Sequence, residues 1–314
     1  MMILQSNLQT PTGLVFSPDG LSLLAVEDSN VQVWPRWLEA KPLPVTETTT
    51  TLERFGFGPA GDRLFLYRSG NSFTRMVPLA TQKELPCGVP SAGPSWFSST
   101  PECTFFIACH GRGNLSRYNF VPGAKRAVKT WTVERRKFGS HYRFGMISGE
   151  NGVFIALEYK FGRGEPVEGL VTRSVTDGKQ LRHEKVTDDD AHLLLEVGLK
   201  LAIHPSGRYF AFPQTNRVRL WPLADAVDLP KVIKNTSQAV CHAVAFHPSG
   251  HLLATIAGTL VKLYDTTTWK VTRQFAWKIG QLRSVCFSPD GSRAAVIGTG
   301  EKKTGGKVVV WDMD

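Results

Sequence analysis

The chain has 314 residues, of which 42% are hydrophobic and 20% charged, a composition that excludes a disordered polymer and allows a substantial core. Lysine and arginine outnumber aspartate and glutamate by 37 to 27, and the formal charge of +10 favours acidic partners in general. Apolar runs stay well short of the roughly 18 residues of a membrane span, so no membrane contact is expected.

The N-terminal residues and the five cysteines indicate the cellular compartment in which the protein is expected. The first residues, MMILQSNLQTPTG, contain neither a basic segment nor a sustained apolar run, so no signal peptide is expected. No CxxC pair occurs, and Cys241 and Cys286 lie within the apolar stretches VCHAVAF and SVCFSP. Buried free thiols in a reducing, cytoplasmic location are therefore predicted.

A short turn phrase recurs along the whole chain, as VFSPDG (15–20), FGPAG (57–61), SSTPEC (98–103), MISGEN (146–151), AIHPSG (202–207), AFHPSG (245–250) and CFSPDG (286–291). The central residues are Pro18, Pro59, Pro101, Gly149, Pro205, Pro248 and Pro289, separated by 41, 42, 48, 56, 43 and 41 positions. A period near 40 residues is typical of four-stranded propeller blades. Seven copies predict seven blades.

Each copy has the same internal order. An apolar strand enters the turn, a second apolar strand leaves it, an alternating third strand follows, and a more polar fourth strand precedes the next copy. Proline presets the turn and glycine accepts positive φ, so His204 and His247 within HPSG are expected to be structural turn residues. The predicted fold is all-β: a seven-bladed β-propeller of four-stranded antiparallel blades, forming a single domain over residues 1–314.

The turns and the third-strand endings resemble the WD-repeat family of β-propellers. These endings are VQVW (31–34), VRLW (218–221), VKLYD (261–265) and VVVWD (308–312), although Trp-Asp itself occurs only at Trp311-Asp312. The family's Gly-His pair is replaced by Thr236-Ser237 and Trp277-Lys278 in the last two copies. The family's buried Asp-His-Ser-Trp network is therefore expected to be missing, so apolar packing between blades must stabilise the fold.

The two ends of the chain predict how the propeller closes. The chain finishes on the third strand of the last copy, and the last blade (282–312) therefore lacks an outer strand. Residues 2–9 precede the first copy and belong to none of the seven copies. The resemblance implies that this N-terminal strand completes the last blade, which also removes an exposed sheet edge.

Long segments gather on one face of the predicted blades. RRKFGSH (135–141), KFGRGEPVE (160–168), TDDDAHLLLE (187–196) and TGEKKTGG (299–306) join strands two and three or successive blades, whereas PRWLEAKPLPVTE (35–47) lies on the opposite face. Insertions concentrated on one face of a repeat protein often mark its binding face. The predicted partner-binding residues are Arg112, Arg135, Arg136, Lys137, His141, Arg143, Lys160, Arg163, His242 and Arg283.

Their chemistry favours a non-enzymatic scaffold that binds an acidic or phosphorylated protein over blades 3–5, with no metal and no cofactor; membership of a larger complex is left open. One alternative is nucleic-acid binding, suggested by the basic, aromatic stretch 125–144. TDDDAH (187–192) lacks the spacing of a calcium loop, and GTGEKKTGGK (298–307) does not fit a phosphate loop. A hydrolase or lactonase-like enzyme is the third alternative, but no acid/base pair follows from the spacing.

Overall fold

The structure is a computed structural model in which seven four-stranded antiparallel sheets form a seven-bladed β-propeller. It describes residues 1–28, 30–45, 54–58, 61–67, 74–81, 85–86, 94–99, 105–110, 114–119, 127–134, 140–148, 152–160, 167–187, 201–223, 230, 232–234, 239–300 and 305–314. Within these ranges the helical content is one short 3-10 turn, Trp37–Glu39. The all-β prediction and the predicted seven blades are confirmed.

The strands follow the repeated turns in chain order, four to a blade. The first strand and blades 1 to 4 comprise β1 (Met2–Gln5); β2 (Gly13–Phe16), β3 (Leu23–Glu27), β4 (Asn30–Trp34), β5 (Leu43–Val45); β6 (Arg54–Phe57), β7 (Arg63–Tyr67), β8 (Thr74–Pro78), β9 (Leu85–Pro86); β10 (Pro94–Ser99), β11 (Phe105–His110), β12 (Leu115–Asn119), β13 (Val128–Val133); and β14 (Ser140–Ile147), β15 (Val153–Lys160), β16 (Val167–Ser174), β17 (Gln180–Glu184).

Blades 5 to 7 comprise β18 (Ala202–Ile203), β19 (Tyr209–Gln214), β20 (Arg217–Pro222), β21 (Val232–Lys234); β22 (Cys241–Phe246), β23 (Leu252–Ala257), β24 (Leu260–Asp265), β25 (Val271–Ala276); and β26 (Leu282–Phe287), β27 (Arg293–Gly298), β28 (Lys307–Asp312). The chain divides into two compact units. One, Met1–Thr51 with Leu199–Asp314, holds blades 1, 5, 6 and 7; the other, Leu52–Gly198, holds blades 2, 3 and 4.

Three predicted loops are shorter than the sequence suggested. In blade 4 the strands β14, β15 and β16 each run for eight residues, so Ser140, Lys160 and Val167 lie in strands rather than in insertions. In blade 1 the second part of the predicted loop 35–47 pairs with β4 and becomes the outer strand β5. The indole nitrogen of Trp37 donates to the carbonyl of Gly20 (3.0 Å), which holds the remaining loop on the turn.

The N-terminal strand completes blade 7, as the sequence predicted. β1 pairs antiparallel with β28, and Leu4 opposite Val308 is fully buried. The segment that continues into blade 1 is held by the buried carboxylate of Glu27, which accepts hydrogen bonds from the backbone of Gln9 (3.0 Å) and from the backbone and hydroxyl of Thr10. Three interactions therefore close the propeller: the backbone pairing of β1 with β28, the burial of Leu4, and the charge-assisted hydrogen bonds to Glu27.

Apolar stripes cover both faces of blade 7, because side chains alternate across a strand. Ala294 and Val296 of β27 pack in a cluster with blade 6, whereas Ala295 and Ile297 pack with blade 1 and Leu4. In the other unit, Ile107 and Cys109 of blade 3 pack against blade 4. There the left-handed Gly178 (φ +74°) sits where a Cβ would approach Trp131 and Val133 to 2.8–3.2 Å.

At Trp34 and Trp311 the hydrogen-bond network of the WD repeat is absent among the described residues. The buried indole nitrogens of Trp34 and Trp311 have no hydrogen-bond partner among the described residues. Trp277, which replaces the family's glycine, instead lies with its ring centroid 5.6 Å from that of Trp311. Aromatic packing takes the place of the network, as expected from the missing Gly-His pair.

The repeated turns link neighbouring blades through their histidines. In blade 5 the backbone N–H of Ser206 donates to Nδ1 of His204 (3.1 Å), so Nε2 of the neutral ring carries the proton and donates to the carbonyl of Gly250 in blade 6 (3.0 Å). His247 bonds in the same way to Gly291 of blade 7 (2.9 Å). The predicted structural role of the two histidines is confirmed.

The burial of His204 between blades 5 and 6 makes stability depend on pH. Burial lowers the pKa of His204 and the nearby His251 lowers it further, while the bond to Gly250 raises it. The neutral ring is favoured in the folded state, so its contribution is complete above the ordinary value of 6.5 and is lost as pH falls below it. His204→Ser, which copies the turn of blade 7, should lower the stability by about 1 kcal/mol at neutral pH.

Urea unfolding at neutral and mildly acidic pH checks this prediction. The difference between the wild type and His204→Ser should shrink at acidic pH, because only the wild type loses the contribution of the neutral ring. A difference that stays constant or grows as pH falls would contradict the assignment.

Candidate functional site

Three of the ten predicted binding residues lie where the pairing of an inner strand with its neighbour shifts, at the second residue of β22 and β26 and the fourth of β14. His242 lies on β22 and Arg283 on β26, both partly buried, and Arg143 lies on β14, where the backbone alone is described. His141 and Lys160 are likewise strand residues of blade 4 described by backbone alone. The remaining five lie outside the described residues: Arg112, Arg135, Arg136, Lys137 and Arg163.

The position is a β-bulge that recurs from blade to blade. The pairing of β22 with β23 skips His242, and the pairing of β26 with β27 skips Arg283. Equivalent shifts skip Ser95 in blade 3 and span Arg143 in blade 4. A bulge leaves its extra residue unpaired and re-aims the side chain, which is why bulges are common at functional sites.

Bonds between blades explain the bulges of blades 6 and 7. The backbone N–H of Cys241, the first residue of β22, donates to the carbonyl of Thr215 in the hairpin of blade 5 (2.6 Å). Leu282 of β26 donates in the same way to Gly258 in blade 6 (2.8 Å). Thr215 and Gly258 are both left-handed, with φ +48° and +62°. The first residue is thus held by the preceding blade, and the ladder of the blade itself resumes at the third.

His242 is held by the loop that leads into blade 7. The amide nitrogen of Gln281 lies 2.9 Å from Nε2 of His242; an amide nitrogen only donates, so this ring nitrogen accepts. Gln281 is in turn fixed by Thr299, whose N–H donates to the Gln281 carbonyl (3.0 Å) and whose hydroxyl accepts the Gln281 N–H (3.1 Å). The loop between blades 6 and 7 therefore orders the neighbourhood of both bulges.

Arg283 brings an incompletely bonded cation to the same place. Its Nε is buried and has no hydrogen-bond partner among the described residues. Leaving a buried donor unpaired costs free energy, and a guanidinium binds carboxylate or phosphate oxygens through two parallel N–H groups. Arg283 is therefore a partly buried cation with an unused donor among the described residues.

Arginine is also buried away from this face, with a different role. Arg117 and Trp131 of blade 3 both donate to the carbonyl of Val175 in blade 4 (3.1 and 3.0 Å), and Arg173 donates to the carbonyl of Gly178 (3.0 Å). Arg117 and Trp131 therefore join blade 3 to blade 4, whereas Arg173 holds the β16–β17 hairpin within blade 4. Sequence reasoning missed them, because nothing in LSRYN or VTRSV distinguishes a buried arginine from a solvated one.

Metal-binding clusters, reactive thiols and membrane-spanning helices are the other classes of site that the described residues could form. No three histidine, cysteine, aspartate or glutamate side chains are grouped there as a metal ion would need, and TDDDAH (187–192) lies almost wholly outside them. Cys109 and Cys241 are buried free thiols, and burial raises the pKa of the partly buried Cys286. In the same part of the chain, no helix has the length and hydropathy of a membrane span.

Comparison with known proteins supports the fold and assigns the chain to no family. No protein-family model matches the chain. A stretch of 118 residues, 38% of this chain, is 26% identical to cilia- and flagella-associated protein 57 of Mus musculus, of whose length the match covers 9%. Among solved structures, Kuenenia stuttgartiensis hydrazine synthase is similar over 99% of this chain and 97% of that one, with a TM-score of 0.68 and 14% identity. At that identity the likeness shows that the chain is a seven-bladed propeller, and nothing about its chemistry.

Proposed function

We propose that the protein is a cytoplasmic, non-enzymatic interaction scaffold that binds an acidic or phosphorylated segment of a partner protein. The partner is met by the loop face over blades 3–5, where Arg135, Arg136, Lys160 and Arg163 concentrate positive charge in the sequence, and by the bulge residues of the inner strands. The observation that carries the proposal is the unpaired, buried Nε of Arg283 on a bulge that recurs between blades.

The chemistry of the bulges supports binding rather than catalysis. Nε2 of His242 accepts a hydrogen bond from Gln281, so the lone pair that a general base would use is occupied. Arg283 is a permanent cation without an acid/base role at neutral pH. The 118-residue stretch that is 26% identical to a cilia- and flagella-associated protein is in line with a role among protein partners.

Charge reversal tests the loop face. A variant with Arg135, Arg136, Lys160 and Arg163 all changed to glutamate should bind a fluorescent acidic peptide, and its phosphoserine counterpart, at least about tenfold more weakly. The melting temperature should stay nearly the same, because charges of this kind contribute little to folding.

The matched control reverses four exposed charges away from these loops, with the same change in net charge: Lys41, Lys129, Lys179 and Arg208. An equal loss of binding in both variants would show a general effect of net charge and contradict the site. Stronger, steeply salt-dependent binding of single-stranded DNA than of either peptide would favour a nucleic-acid partner instead.

Replacing Arg283 separates binding from folding. Arg283→Met removes the cation and also a buried, unpaired donor, so affinity for the acidic peptide should fall about tenfold while stability stays the same or rises. Arg283→Lys should recover part of the affinity, because it keeps the charge without the fork of donors.

Peptide anisotropy and thermal unfolding of the two Arg283 variants measure both effects. The exposed Arg273→Met is the control, since its guanidinium binds the carbonyl of Met313 within the chain (2.6 Å). Unchanged affinity together with lower stability in Arg283→Met would assign Arg283 a structural role.

A further inference from the structure

A cleft opens at the outer edge of the junction between blades 5 and 6. Its volume is about 290 Å³, at the small end for ligand sites, which suits one or two amino-acid side chains rather than a cofactor. Ile233 of β21 and Tyr264 of β24 form part of its wall, and Val271 of β25 stands at its margin, 47% exposed. None of the residues that line this cleft is among the ten predicted partner-binding residues.

Comparison with the next junction explains why the cleft exists. VKLYD of β24 aligns with VVVWD of β28, so Lys262 and Tyr264 occupy the places of Val309 and Trp311. By strand pairing, Ile233 opposite Val218 occupies the place of Phe275 opposite Val261.

The junction of blades 6 and 7 is filled where the junction of blades 5 and 6 is open. Phe275, Trp277 and Trp311 lie with their ring centroids 5.5–5.8 Å apart, and Val309 is fully buried beside them. Smaller side chains and a lysine at the equivalent positions leave space between blades 5 and 6.

The cleft carries positive charge on apolar walls. Lys262 lines it and is 7% exposed, and the exposed Lys234 stands at its edge, while no acidic side chain is among its described lining residues. A buried ammonium group costs desolvation free energy that valine at the same place would not. Lysine has three donors, so it can bind a ligand carboxylate in addition to a partner within the chain.

The aromatic wall of the cleft is held in an unfavourable backbone conformation. Trp269 is left-handed, with φ +55°, which is costly for a bulky residue. This conformation sets its ring 6.0 Å from that of Tyr209 in blade 5, edge to face, and against the cleft. The nearby Asp265 carboxylate accepts the N–H groups of Thr267 (3.0 Å) and Thr268 (2.6 Å), so it is engaged in its own hairpin.

We infer that this cleft is a second docking site, which takes an extended peptide carrying an apolar side chain next to an aspartate or glutamate. The apolar side chain enters between Ile233, Tyr264 and Trp269, and the carboxylate meets Lys262 and Lys234. β25 is the terminal strand of its sheet, so its outer edge offers backbone groups to an extended chain. Charge complementarity identifies the occupant, because two lysines and no acidic residue are among the described residues that line the cleft.

Fluorescent peptides of about twelve residues are the probes. One set has a central leucine or phenylalanine flanked by aspartate or glutamate; the second set has lysine at the flanking positions. The acidic set should bind the wild type more tightly than the lysine set. Lys262→Met, which keeps the volume, and Val271→Trp, which fills the cleft from an exposed position, should each weaken binding about tenfold or more.

Val128→Trp is the matched control, because Val128 is 48% exposed on the outer strand β13 of the other unit. It should bind the acidic peptides as the wild type does. Failure of every acidic peptide to bind, equal binding of the lysine set, or unchanged binding in Val271→Trp would overturn the assignment.

Discussion

Packing of apolar stripes between neighbouring blades is the interaction on which the rest of this structure depends. Within each of the two compact units, alternate side chains of the inner and middle strands face neighbouring blades, and the described residues form clusters between blades 5 and 6, 6 and 7, 7 and 1, and 3 and 4. The tryptophans Trp34 and Trp311 contribute bulk but no hydrogen bond. Because blade 7 has three strands of its own, the packing against blade 1 is complete only when Leu4 of β1 is in place. The hydrogen bonds that Gln9 and Thr10 donate to the buried Glu27 carboxylate fix the segment between β1 and blade 1.

Much of this architecture could be predicted from the sequence, because local chemistry specifies it. The Pro-x-Gly turns give the period, and Gly20 and Gly291 adopt the positive φ that the turns require (+71° and +74°). The continuous apolar run in VVVWD gives a strand buried on both faces. The bulges at His242 and Arg283 could not be predicted, because they arise from bonds to the preceding blade. The cleft was missed for the same reason. Lys262 is an ordinary third-strand lysine until the neighbouring blade shows which side it faces.

The blades of this fold carry both proposed binding modes. Blade-to-blade backbone bonds place His242 and Arg283 on equivalent bulges, so the cations of the inner strands are positioned by folding rather than by a partner. Pre-organised groups of this kind bind without paying the full cost of ordering side chains. At the outer edge, replacement of one valine by Lys262 turns a packing position into a charged cleft. The repeats that match best carry the fold, and their departures from one another carry the proposed function.

The central claim, that inter-blade packing closed by β1 holds the scaffold together, is tested most directly by amide hydrogen exchange of β28. Leu4→Asp places a charge at a fully buried position facing blade 1, while Ile3→Asp changes the adjacent residue, which is 48% exposed. Leu4→Asp should lower the melting temperature and remove exchange protection from Val308, Val309 and Val310, and Ile3→Asp should leave both nearly as in the wild type. Equal protection of β28 in the two variants would contradict the central claim.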